Sequence, residues 1–109
     1  VKGNGYDHNW ILNSSGDKAI KAAELVEPRS GRVLEVYTTK PGVQLYTGNF
    51  LDGANVGKGG AVYGKRSGLC LETQYFPNAM KHTHFPCPIL KAGEQYNHST
   101  VYKFTILNS

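Results

Sequence analysis

The chain has 109 residues, 39% hydrophobic and 18% charged, a balance that excludes a disordered tail and leaves room for one modest core. Its net charge of +4 and pI near 9.1 would suit a polyanion partner. The basic residues are scattered, however, and only Lys65 and Arg66 are adjacent, so the expectation is a solvated surface with no nucleic-acid or membrane partner.

Thirteen glycines and five prolines, many in turn-like clusters, favour short strands over long helices. Asn9 to Leu12 is a short apolar stretch that ends in the turn signal Asn13-Ser14-Ser15-Gly16. Lys21 to Val26 and Arg32 to Thr39 flank a loop of turn-formers, Glu27 to Gly31, and predict a hairpin. The second arm alternates Val33, Glu35 and Tyr37 against Leu34, Val36 and Thr38, the pattern of a strand. After the turn Pro41-Gly42, Val43 to Tyr46 is the next strand. Leu51 to Gly64 is glycine-rich and reads as a long irregular loop. Gly68 to Thr73 is a short apolar strand, and Asn78 to Met80 suggests one helical turn. Ser99 to Leu107 closes the chain with Val101, Lys103 and Thr105 alternating against Tyr102, Phe104 and Ile106. These segments predict an all-β fold with antiparallel pairing. The two cysteines, Cys70 and Cys87, are too few for a disulfide scaffold, and the expectation is free, buried thiols in a reducing compartment.

Three groups of residues carry possible chemistry. Glu72 ends an apolar strand and precedes Thr73-Gln74, then Tyr75 and Phe76. Carboxylates and amides bind sugar hydroxyls, aromatic faces bind C–H edges, and burial would make the carboxylate a better base. From the local residues alone, a surface glutamate closing a strand is the stronger reading. Asp7-His8-Asn9 could orient a ligand, but Asp and Asn bond their own backbone, so a turn is the stronger local reading. His82, His84 and Cys87 are metal-ligand types, yet no fourth ligand stands at a standard spacing, so no metal site is expected. The loop from Gly53 to Gly64 lacks the Gly-Lys-Ser/Thr ending of a phosphate-binding loop.

Several strings combine into a resemblance that covers nearly the whole chain. Gly5-Tyr6-Asp7-His8-Asn9, Leu34-Glu35-Val36-Tyr37-Thr38-Thr39, Pro41-Gly42-Val43-Gln44, Tyr46-Thr47-Gly48-Asn49 and Leu71-Glu72-Thr73-Gln74 occur in one order. Pro77-Asn78-Ala79 and the run from Pro88 to Tyr96 follow. Together they resemble the C-terminal portion of the aldose 1-epimerase (galactose mutarotase) family. The resemblance implies an antiparallel β-sandwich, part of the galactose mutarotase-like supersandwich, with residues 1–109 as a single domain or fragment of it. It also implies interconversion of the α and β anomers of hexoses such as galactose and glucose, without a cofactor or metal. Carried over residue by residue, Glu72 is the catalytic base, while Asp7 and Gln44 contact the sugar. The family's catalytic histidines precede the Asp-His-Asn motif and have no counterpart here, and His8 belongs to the motif rather than replacing them. Expected partners are therefore a hexose and the remaining N-terminal portion or a second copy, in the cytoplasm. Two further readings stand beside the enzyme: a carbohydrate-binding fragment without turnover, and a basic defence or interaction polypeptide.

Overall fold

A computed structural model describes residues 4–108. Six strands form in chain order: β1 Asp7–Ile11, β2 Ala23–Glu27, β3 Arg32–Thr38, β4 Gly42–Tyr46, β5 Cys70–Gln74 and β6 Thr100–Ile106. They make two three-stranded antiparallel sheets, β1-β4-β5 and β2-β3-β6. Among the described residues, helix is confined to two 3₁₀ turns, Lys58–Gly60 and Ala79–Lys81. The expected all-β, antiparallel architecture is therefore present, and the helical turn anticipated near Asn78 lies one residue later. No helix among the described residues is long and apolar enough to cross a membrane.

The predicted hairpin is β2–β3, in the register Leu25 to Leu34 and Glu27 to Arg32. Its turn is closed by the Glu27 carboxylate, which accepts the N–H groups of Arg29 at 3.0 Å and Ser30 at 2.7 Å, and Gly31 takes φ +71°. On the far side of β3, β6 pairs from Arg32–Ile106 to Thr38–Thr100. Hydroxyl groups tie the two sheets together. Thr100 Oγ1 lies 3.1 Å from Thr38 Oγ1 and 2.6 Å from Thr73 Oγ1, and the Tyr102 hydroxyl donates to the Leu71 carbonyl at 2.7 Å.

Strand alternation follows from these contacts. Leu34, Val36 and Thr38 of β3 face the β1-β4-β5 sheet, and Val36 and Thr38 are fully buried. Val43 is buried on the facing sheet, but Trp10 is 52% exposed and Phe104 77% exposed, so the space between the layers is open at its sides. A cavity of about 470 Å³ opens there beside Trp10, Leu45 and Leu71.

The outer face of the β2-β3-β6 sheet carries an ion-pair ladder. Glu35 meets Lys103 at 3.0 Å and Lys21 at 3.6 Å, and Lys21 also pairs with Glu24. The hydrogen bond from Lys103 holds the Glu35 carboxyl below its usual value of 4.5. Hydrogen bonding from Ser30, then from the Arg29 N–H, does the same for Glu27. Their contribution to stability is present above the unfolded carboxylate pKa and is lost as pH falls through the depressed folded values. Lys21 and Lys103 are raised above 10.5 by their carboxylate partners, Glu24 and Glu35 respectively, so their contribution is complete below that value and is lost above it. We expect stability to fall at both ends of the pH scale, and Glu35→Gln to weaken the dependence at both. Denaturation midpoints across pH read this out, and unchanged limbs in Glu35→Gln would show the ladder to be idle.

Candidate functional site

One face of the β1-β4-β5 sheet is polar, and the register explains why. β1 pairs β4 with Asp7 opposite Tyr46 and Asn9 opposite Gln44, and β4 pairs β5 with Gln44 opposite Glu72 and Gly42 opposite Gln74. Side chains directly opposite in a sheet share a face, as do residues two apart in one strand. Asp7, Asn9, Gln44, Glu72 and Gln74 therefore project together. His8, Trp10, Val43, Leu45 and Leu71 project to the opposite, apolar face.

The three residues singled out from the sequence are thus brought to one surface by three adjacent strands. Gln44 Nε2 donates to Asp7 Oδ1 at 2.9 Å, and Gln74 Nε2 reaches Gln44 Oε1 at 3.4 Å. Asp7 accepts one strong hydrogen bond through one oxygen and keeps its other oxygen for a donor. Glu72 stands beside Gln44, on the strand two spacings from β1, about 10 Å across. Phe76 closes one end of the face: its ring lies so near Gly42 that a Cβ there would meet Phe76 Cε1 at 3.0 Å and Asn9 Oδ1 at 2.7 Å. The face combines carboxylates, amides and an aromatic edge, the groups that bind a polyhydroxylated ring. Asn9 and Gln74 are additional members that sequence reasoning left unassigned, although their spacing of two from Asp7 and Glu72 marks them.

Two expectations need correction, the turn at Asp7-His8-Asn9 and the burial of the cysteines. Asp7-His8-Asn9 is not a turn: β1 begins at Asp7 because pairing with Gln44–Tyr46 takes up the backbone of all three. Glu72 is exposed, in keeping with the local reading of a surface glutamate, since β5 is a sheet edge and the polar face has no cover within the described residues. Cys70 and Cys87 are free but exposed; Cys70 alternates to the same open face as Glu72. The Leu51–Gly64 segment is the irregular loop expected, braced by a bridge between Val56 and Val62 and by Gly57 packed on the Tyr63 ring.

His8 is placed away from the polar face. Its Nδ1 accepts the Asp7 N–H at 3.1 Å, and its ring meets Tyr6 edge-on with centroids 6.0 Å apart. His82, His84 and Phe85 form an aromatic knot, with Phe85 also edge-on to Phe76 at 5.1 Å. The described residues contain no cluster of three or more His, Cys, Asp or Glu able to hold a metal. His98 packs into a separate group, 3.1 Å from Thr39 Oγ1 and beside Tyr75 and Tyr96, between whose rings the Lys40 ammonium sits.

Comparison with known proteins adds a match to the family model described as aldose 1-epimerase over residues 1–103. The chain is 57% identical to the galactose mutarotase of Sus scrofa over 103 residues, covering 94% of this chain and 30% of that protein. It is 38% identical to the aldose 1-epimerase of Escherichia coli K12 over 102 residues, covering 92% of this chain and 29% of that protein. An aldose epimerase homologue from C. elegans, known by crystal structure, superposes with a TM-score of 0.82 at 28% identity, covering 94% of this chain and 30% of that one. The chain spans about 30% of the length of these relatives.

Proposed function

The chain belongs to the aldose 1-epimerase family, and from that premise we propose that it forms the base-bearing part of a hexose mutarotase site. The observation that carries this reading is the register that sets Glu72, Gln44 and Asp7 on one face, with Gln44 hydrogen-bonded to Asp7. Glu72 takes the proton of the anomeric hydroxyl. The electrons of that O–H bond form the carbonyl, the bond from C1 to the ring oxygen breaks, and the ring oxygen is protonated by an acid. Rotation about C1–C2 and the reverse steps give the other anomer. Asp7 and Gln44 hold sugar hydroxyls through the carboxylate oxygen and amide groups that the sheet leaves free. Galactose and glucose are the proposed substrates.

The acid comes from family polypeptide beyond this stretch. His8, the nearest histidine in sequence to Asp7, alternates to the opposite face. The exposed Glu72 and the open layer beside Trp10 and Phe104 support the same reading: a further part of the fold, on the same chain or another, covers them. Those same features favour sugar binding without turnover when these 109 residues stand alone.

The test is polarimetric. Residues 1–103 replace the matching segment of the pig galactose mutarotase, and the decay of fresh α-D-galactose rotation is followed. We expect the chimera to accelerate the decay and the isolated chain to leave the buffer rate unchanged. Gln44→Ala in the chimera raises KM about tenfold with little change in kcat, the effect of one hydrogen bond to a charged or hydroxyl partner. A soluble, folded chimera with no rate above buffer would sink the proposal.

A further inference from the structure

We infer that Asn49, which lies outside the polar face, is a positioning residue that sets the Asp7 carboxylate for the sugar. The inference rests on the reading of Asp7 given above. Asn49 is only 3% exposed, yet both ends of its amide are used. Nδ2 donates to the Tyr6 carbonyl at 2.7 Å, and Oδ1 accepts the Thr47 hydroxyl at 2.8 Å. A carbonyl cannot donate, so the atom facing Tyr6 O must be the amide nitrogen, and the orientation of the Asn49 side chain is fixed.

The Tyr6 carbonyl belongs to the peptide unit that enters Asp7. That unit is gripped at both ends: its oxygen also accepts the Thr47 N–H at 3.1 Å, and its N–H is donated to His8 Nδ1 at 3.1 Å. Holding a planar peptide at both ends places the Asp7 N–Cα bond, and the pairing of Asp7 with Tyr46 sets the rotation about it, so together they fix the direction of the Cα–Cβ bond. The Asp7 side chain is thereby aimed along the sheet face, where Gln44 Nε2 meets it. Gly5 makes the grip possible. Its φ is +130°, and a Cβ there would stand 1.9 Å from Asn49 Oδ1, so only a bare backbone admits the amide. A side chain 43 positions from Tyr6 in sequence thus joins the turn leaving β4 to the residue just before β1, and a small tilt of the held peptide moves the carboxylate by more than a hydrogen bond tolerates.

The chimera described above tests this with a double-mutant cycle on galactose anomerisation. Asn49→Ala is expected to raise KM about tenfold and to leave kcat within about threefold. Asp7→Asn alone raises KM by a similar or larger factor. In the double variant, Asn49→Ala adds less than about twofold to the effect of Asp7→Asn, because its action runs through that carboxylate. Full additivity, or an unchanged KM in Asn49→Ala, overturns the inference. An unchanged KM in Asp7→Asn overturns the assignment of Asp7 itself, and the inference with it. Should Asn49→Ala fail to fold, Thr47→Val is read instead. It removes the hydroxyl that holds Asn49 Oδ1 at a half-buried position. It is expected to raise KM about threefold in the Asp7 background and not at all in the Asp7→Asn background; additivity there overturns the inference equally.

Discussion

Glu72→Gln in the chimera lowers kcat for galactose anomerisation by about 10²–10⁴-fold and leaves KM within about threefold, the loss expected when one general base is removed. Glutamine keeps the size of the side chain and can still hydrogen-bond a hydroxyl, so ground-state binding survives while the proton has no acceptor. Asp7, the other carboxylate on the face identified here, cannot substitute. It is engaged by Gln44 at 2.9 Å, and it stands on a strand two spacings, about 10 Å, from β5. The isolated chain is expected to show no comparable rate even before mutation. Its Glu72 is exposed, and a base and an acid each contribute orders of magnitude only when both are positioned on the substrate. A Glu72→Gln chimera that retains more than about a tenth of the parent kcat would move the base to another residue.

The sheets were more legible in the sequence than the site. β3 and β6 announce themselves by alternation, and in β3 one side carries the fully buried Val36 and Thr38, whereas every residue of β6 is exposed. The β2–β3 hairpin is equally local, since its turn is closed by Glu27 itself. Asp7-His8-Asn9 misleads for a physical reason. Asp and Asn favour turns when nothing else binds their backbone, and here β4, more than thirty residues away, does. Glu72 gained its assignment from the family strings around it, while local chemistry favoured a surface glutamate. That Cys70 is exposed was not readable, since burial in a strand depends on whether that strand lies at a sheet edge. The role of Asn49 was hidden for the same reason: its partners, Tyr6 and Gly5, adjoin it only in the folded chain.

Two glycines separate backbone strain from close packing, and we expect Gly48→Ala to destabilise the chimera by about 3 kcal/mol while Gly59→Ala costs about 1 kcal/mol. Their conformations are nearly the same, φ +65° at Gly48 and φ +68° at Gly59, so the left-handed strain of an added side chain is common to both. Their surroundings differ. A Cβ at Gly59 meets nothing within 4 Å, whereas at Gly48 it would lie 2.8 Å from the Gly68 carbonyl oxygen and 3.2 Å from Leu51 Cδ1. The first of these is backbone, and it cannot move aside as a flexible side chain would. Gly48 is itself held, its carbonyl accepting the Arg66 N–H at 3.0 Å, so the strain passes into the turn that carries Thr47 and Asn49. Urea midpoints at unchanged m-value measure both losses. Equal losses at the two positions would mean that the close approach at Gly48 relaxes freely. A larger loss at Gly48, accompanied by a raised KM for galactose, would show that the turn after β4 is rigid and that the sugar face depends on it.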